Sequence, residues 1–125
     1  MRALTLLVLF VAGAILIGAC GSGPKADAYG ESNAARASGD SVTVEMRDLQ
    51  FSPQGIRVKA GVTVTWVNRD PVVHNVRQVQ SAFLGPDEMP QGESFSFRFD
   101  EPGTYRYQCT YHHPNMNGVV IVEEE

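Results

Sequence analysis

The chain is poor in cysteine, in histidine and in basic residues. Its 125 residues include two cysteines and three histidines, and 10 Lys and Arg are outnumbered by 14 Asp and Glu. So few cysteines cannot supply a disulfide framework, and a net charge of −4 offers no basic patch for nucleic acid. The apolar run from Leu4 to Ile17 is short for a membrane span. We therefore do not expect a protein held together by disulfides or one that binds nucleic acid, and we do not expect the apolar run to span a membrane.

The beginning of the chain has the features of an export signal. Arg2 precedes the apolar run, and Ile17-Gly18-Ala19-Cys20 resembles the lipobox of bacterial lipoproteins, where cleavage leaves a lipid-modified Cys20. Diacylation attaches more than one acyl chain, which is what stable anchoring of a protein to a membrane needs. A simple signal peptide or an anchor helix is the alternative, which the cysteine placed after small residues disfavours. We predict a signal peptide over residues 1–19 and an exported protein anchored to the membrane, in the periplasm or on the extracellular face.

Lipidation of Cys20 would leave Cys109 as the sole cysteine of the exported domain. A free thiol in an oxidising compartment is vulnerable unless a metal or burial protects it. Residues 20–40 are rich in Gly, Ala and Ser without periodicity, which predicts a flexible tether. The folded domain is then expected over residues 41–125, roughly 85 residues and within the range that folds alone.

The segment 107–118 concentrates the side chains that bind soft metals. It holds one thiol, two imidazoles and one thioether, at Cys109, His112, His113 and Met116. The only histidine elsewhere is His74, bracketed by strand-like sequence. One Cys, two His and a weak Met form the ligand set of electron-transfer copper sites. Taken singly, each residue is more often part of an ordinary core, but their combination at this spacing predicts copper.

The domain pattern has period two, which predicts strands rather than helices. Apolar residues alternate with polar ones in five runs, and turn residues such as Ser52-Pro53-Gln54-Gly55 separate them. Strand-like sequence also covers residues 72–79, and residues 81–92 are expected to form a long loop or edge. Gly118 opens a last strand. Short strands at regular spacing predict an all-β sandwich.

These stretches together resemble the cupredoxins, small blue-copper proteins of the plastocyanin and amicyanin type. The matching segments are 64–76, 99–109 and 109–118, and the order His, Cys, His, Met agrees as well. The resemblance covers nearly all of residues 41–125 and none of the first forty. It implies a Greek-key β-sandwich with one type 1 copper ion at one end, beneath the loops.

The resemblance assigns a role to each candidate residue. His74 would be the first imidazole ligand, Cys109 the thiolate and Met116 the weak axial ligand. Asn75 matches the residue that braces the ligand loop from outside the coordination sphere. An Asn merely suited to a bend is the alternative for that position.

The doubled histidine departs from the family pattern. Amicyanin-like loops place two residues between Cys and His and two between His and Met. The loop between Cys109 and Met116 is one residue longer than this pattern. Counting forward from Cys109 selects His112, whereas counting backward from Met116 selects His113. We favour His112, because the two-residue step from Cys recurs across loops of different length. His113 would then lie outside the site.

The complete ligand set leaves no open position for a substrate, so we predict a monomeric electron carrier and not an enzyme. Redox proteins would be its partners, at the membrane surface. Residues near the loop could form the docking surface; they are Phe83, Leu84, Tyr111 and Pro114. A copper-holding or copper-delivery lipoprotein is the alternative function, although the methionines are too dispersed to form an exchangeable cluster. A structural zinc module is a third, and zinc gains little from Met.

Overall fold

The structure, a computed structural model, describes residues 27–125. This part contains strands and turns but no helix, and therefore none that could cross a membrane. The strands are β1 (Ala35–Arg36), β2 (Ser41–Arg47), β3 (Gln50–Ser52), β4 (Gly55–Lys59), β5 (Val62–Asn68), β6 (Arg77–Gln78), β7 (Ser94–Phe99), β8 (Gly103–Gln108) and β9 (Asn117–Glu123).

The strands form two mixed sheets. One has the order β1-β4-β9-β8-β6 and the other the order β3-β2-β5-β7. β2 pairs in parallel with β5, and β4 in parallel with β9, whereas β8 and β9 are antiparallel. The all-β sandwich predicted from the period-two pattern is confirmed. Because β8 ends at Gln108 and β9 begins at Asn117, both strands meet the intervening loop at one end of their sheet.

The core is made by the alternate residues of the strands. In β5 every second residue is buried, ending with the fully enclosed Trp66 and Asn68. Such alternation places every second side chain of the strand between the two sheets. The apolar partners come from both sheets, among them Val44, Met46, Ile56, Val58, Val120 and Tyr107. This packing gives the loops at one end a rigid base.

Aromatic rings fill the centre of the core around Trp66. Phe83 and Phe95 stack on the indole at centroid distances of 5.4 and 5.7 Å, and Tyr107 meets it edge-on at 5.3 Å. Phe83 was expected at a docking surface, and that prediction is wrong, because its ring is buried in this cluster. Its neighbour Leu84 is exposed.

The strand-like segment 72–79 is mostly not a strand. Only Arg77–Gln78 forms one, and His74 joins Met89 through an isolated bridge. The amide of the buried Asn68 side chain donates to the carbonyl oxygens of Val72 and Met89 at 2.8 and 2.7 Å. A side chain thus satisfies backbone acceptors in this irregular segment, beside the two backbone bonds between His74 and Met89.

Part of the predicted tether is ordered against the five-stranded sheet. Residues 27–37, hereafter the strap, include β1, which pairs in parallel with β4. The strap approaches so closely that a Cβ on Gly55 would collide with the backbone oxygen of Gly30. The ordered structure therefore begins before Ser41. Composition could not show this, because two-residue pairing and a glycine contact leave no periodic pattern.

Candidate metal centre

Three predicted ligands converge at the end of the sandwich where β8 and β9 meet their loop. The Nδ1 atoms of His74 and His112 are 3.2 Å apart. Cys109 Sγ lies 3.8 Å from the first of these atoms and 3.5 Å from the second. Among the described residues, these three form the one group of His, Cys and acidic side chains close enough to share a metal ion. The structure thus brings the remote histidine to the loop.

The three donor atoms fit a metal in size and in chemistry. A point equidistant from them lies about 2 Å from each, close to the usual metal–imidazole bond of about 2.0–2.1 Å and somewhat short of the metal–thiolate bond of about 2.3 Å. His74 and Cys109 are fully buried, whereas His112 is half-buried. Two imidazoles and a thiolate in a trigonal arrangement are the in-plane ligands of blue-copper sites.

The compact turn after β8 determines which histidine joins the group. The N–H of His112 donates to the carbonyl oxygen of Cys109 at 3.4 Å, and the N–H of Met116 donates to that of His112 at 3.2 Å. This turn directs the His112 ring towards Cys109, whereas His113 is exposed and lies outside the group. The loop therefore presents one of its two histidines to the site.

Met116 closes the loop and is fully buried. Its carbonyl oxygen accepts a hydrogen bond from the N–H of Cys109 at 3.0 Å. This bond continues the β8–β9 pairing by one step, so the backbones of the two residues lie side by side. The thioether is thus enclosed in the protein beside the thiol-bearing residue.

Asn75 joins the chain around His74 to the ligand loop. Its side-chain oxygen accepts from the N–H of Thr110, and its amide donates to the Thr110 hydroxyl, both at 2.8 Å. The same amide donates to the carbonyl oxygen of Asp87 at 3.3 Å. Because Thr110 follows Cys109 directly, this pair of bonds links the residue beside His74 to the residue beside Cys109.

Asp70 is a contributor to the site that the sequence interpretation missed. Its carboxylate lies 2.8 Å from Nε2 of the buried His74. Since an ionised carboxylate can only accept, Nε2 carries the proton and Nδ1 presents its lone pair to the other ligands. The one signal in the sequence was an acid four residues before the histidine, just ahead of the strand-like residues 72–79.

The same carboxylate also anchors the turn between β2 and β3. It accepts from the backbone N–H groups of Asp48 and Leu49 at 2.7 and 2.9 Å, and both residues have positive φ, of 54° and 59°. Burial by itself raises the pKa of Asp70, but the bonds from His74 and from this turn outweigh burial and lower the pKa below its usual value. Asp70 is therefore ionised at neutral pH and positions His74 relative to the sandwich.

Replacing Asp70 with asparagine is expected to weaken copper binding about 10–100-fold, the usual effect of losing an outer partner of a metal-bound histidine. An asparagine has one neutral side-chain oxygen where the aspartate offers two anionic oxygens to His74, Asp48 and Leu49. The His74 ring and the turn between β2 and β3 would therefore both be held less firmly. A chelator-competition titration would measure the affinity. Asp100→Asn is the matched control, since Asp100 is an exposed acid paired with Arg98. Equal affinity of Asp70→Asn and the parent protein would mean that this contact does not matter.

Comparisons with known proteins agree with this geometry. The family model of copper-binding proteins of the plastocyanin/azurin family matches residues 38–123. Amicyanin from Paracoccus denitrificans is 38% identical over 95 residues, covering 72% of this chain and 71% of that protein. Plastocyanin from Scenedesmus fuscus is 35% identical over 92 residues, covering 60% of this chain and 88% of that protein.

A solved structure extends the likeness to three dimensions. The Cu(I) form of a single-residue mutant of amicyanin superposes with a TM-score of 0.62 at 37% identity, covering 70% of this chain and 86% of that one. The cupredoxin fold predicted from the sequence is thereby confirmed. The chain belongs to the plastocyanin/azurin family of copper-binding proteins.

Proposed function

We propose that the protein binds one copper ion and carries single electrons between redox partners. Its ligands would be His74, Cys109 and His112, with Met116 as the weak axial ligand and Asn75 as the brace of the loop. The observation that carries this proposal is the convergence of one thiol and two imidazole nitrogens at the end of a rigid sandwich. Copper bound there would supply one-electron chemistry by alternating between Cu(I) and Cu(II).

The protein's own residues provide rigidity and exclude water. Cys109 and His74 are fully buried. Asn75 ties the residue after Cys109 to the segment that carries His74, and Asp70 ties His74 to the turn between β2 and β3. Ligands held in this way rearrange little when the charge of the site changes, which is what fast electron transfer requires. The resulting carrier needs no substrate pocket, so we infer a protein that is not an enzyme.

His112 is the route by which electrons would enter and leave. It is the one ligand of the three with exposed surface, and the neighbouring Tyr111 is 50% exposed. The Tyr111 hydroxyl donates to the carbonyl oxygen of Asp87 at 3.2 Å, which fixes the ring over the adjoining loop. Together with the exposed Pro114 and Leu84, Tyr111 would form the docking surface for a redox partner.

The alternative of a copper-delivery lipoprotein is not favoured. Delivery requires exposed and exchangeable ligands, yet Met46, Met89 and Met116 are all fully buried. Buried thioethers cannot pass a metal ion to another protein without unfolding of the core.

The visible spectrum of the copper-loaded protein tests the proposed function. We expect an intense thiolate-to-Cu(II) band that disappears after addition of one electron per protein and returns on oxidation. The Cys109→Ser variant should bind copper without developing this band, because serine offers no thiolate. A parent protein that takes up Cu(II) without developing the band would exclude an electron carrier of this type.

We further propose that the chain is exported as a lipoprotein, with a signal peptide over residues 1–19 and a lipidated Cys20. Cys20 lies outside the described residues, and the proposal depends on the lipobox sequence. Replacing Cys20 with alanine should move the protein from the membrane fraction to the soluble exported fraction, or block its processing. Detergent-free fractionation of cells would show which. Unchanged membrane association of that variant would contradict lipidation.

A further inference from the structure

The two halves of the ligand loop are held by different side chains. Asn75 bonds the start of the loop, at Thr110. Met116 lies at the other end, where its N–H donates to the carbonyl oxygen of His112 at 3.2 Å. The position of Met116 therefore depends on the contacts that hold residues 113–116.

Asn117 supplies a bond across this end of the loop. Its side-chain amide donates to the carbonyl oxygen of Pro114. These two residues flank Asn115 and Met116, so the bond closes a short ring of chain around the residue that would be the axial ligand. The backbone of Asn117 is fixed in turn, because it pairs with Gln108 between β8 and β9. The amide thus ties the end of the loop to the sheet.

The Asn117 side chain is enclosed although it does not face the core. Gly118 does face the core, since a Cβ there would meet the Tyr107 ring, and neighbouring residues of a strand face opposite ways. Asn117 is nevertheless only 7% exposed. An enclosed side chain has little rotamer freedom, so its amide stays on the Pro114 carbonyl.

A polar cavity of about 110 Å³ adjoins Asn117, and its lining holds no charged side chain. The other lining residues are Gln50, Phe51, Gln54 and Asn115. Oδ1 of Asn117 is buried and has no hydrogen-bond partner among the described residues. The cavity has room for water, which can donate to a buried acceptor of this kind. Both ends of the amide can therefore be satisfied while it holds the loop.

We propose that Asn117 is a positioning residue for Met116 and that it thereby sets the reduction potential of the copper centre. This inference rests on the proposed electron-carrier function. The axial thioether tunes the potential of sites with two His and one Cys in the plane. Without the bond to Pro114 the end of the loop can shift, and the thioether contact weakens. Loss of a donor destabilises Cu(II) more than Cu(I), because Cu(II) carries the higher charge, so the potential should rise.

Asn117→Ala tests this role, with Asn115→Ala as the matched control. The two substitutions are identical and lie two residues apart, but Asn115 is exposed. Asn117→Leu keeps the bulk of the side chain without the amide, so it separates loss of the bond from loss of packing. Voltammetry should give a higher potential for both Asn117 variants and an unchanged one for Asn115→Ala. Electron paramagnetic resonance should show an altered symmetry of the Cu(II) site in the same two variants only.

Amide hydrogen exchange of the metal-free protein gives a readout that does not involve copper. The N–H of Met116 is bonded within the loop, so its exchange reports how firmly the loop end is held. Asn117→Ala should speed this exchange, whereas Asn115→Ala should not. Exchange in β5, at the centre of the core, should be the same in all variants.

Three results would overturn the proposal. Equal potentials of Asn117→Ala and Asn115→Ala would mean that Asn117 does not set the potential. Unchanged exchange at Met116 in Asn117→Ala would mean that the loop end is held without the amide. Faster exchange throughout β5 would make Asn117 a general contributor to stability. A parent protein that binds copper without the thiolate band contradicts the proposed function instead, and the exchange comparison then still decides whether Asn117 holds Met116.

Discussion

Replacing His112 with alanine is expected to abolish the intense thiolate–Cu(II) band, whereas His113→Ala should leave it nearly intact. The Nδ1 atom of His112 lies 3.5 Å from the Cys109 sulfur and 3.2 Å from the Nδ1 atom of His74. His113 is exposed and does not take part in this group. The two adjacent residues are chemically identical, so the pair is its own matched control. Visible spectroscopy of the copper-loaded variants measures the difference.

Added imidazole distinguishes a lost ligand from a damaged fold. His112 is half-buried, so its removal should open a solvent-accessible position that free imidazole can fill, restoring the band. His74→Ala should lose the band without rescue, because that site is sealed from solvent and Asp70 would lose its partner. Loss of the band in His113→Ala with retention in His112→Ala would transfer the ligand role to His113.

Replacing Gly118 with alanine is expected to destabilise the protein by more than about 3 kcal/mol, the upper end of the usual cost of overpacking a core. A Cβ at this position would lie 2.5 Å from the Tyr107 ring and hydroxyl. Neither the Tyr107 ring nor the backbone of Gly118 can move away easily. The ring is fully buried against Trp66, and Gly118 is paired with Tyr107 in the sheet. Chemical denaturation of the metal-free protein would measure the loss.

Gly92→Ala is the control for this substitution. Gly92 has φ +89°, and a Cβ added there would meet no atom within 4 Å, so its replacement costs backbone strain alone, about 1 kcal/mol. Gly118→Ala should in addition disturb the copper band, since Gly118 is two residues from Met116. Similar stability of both variants would mean that Tyr107 can move aside, and the close approach would not constrain the fold.

The fold class and the composition of the metal centre followed from the amino-acid sequence alone. Period-two alternation is local, and burial of one face of each strand follows from it directly, as in Val62, Val64 and Trp66. The sulfur and imidazole donors are rare in this chain, so their grouping around Cys109 indicated copper without any coordinates. The export signal likewise depends on the sequence, and it remains a prediction.

The surroundings of these candidate ligands became visible only in the folded chain. Counting along the loop favoured His112 over His113 only through the two-residue step from Cys109, whereas in the folded chain the turn places the His112 ring beside His74 and Cys109. Asp70, Phe83 and the strap were missed for a shared reason. The ring of Phe83 stacked on Trp66 and the backbone of Gly30 crossing Gly55 are contacts between segments far apart in the sequence, and the bond from Asp70 to His74 spans four residues without any periodic pattern. Periodic patterns specify which face of a strand is buried, whereas the partner that covers it is set by chain packing in three dimensions.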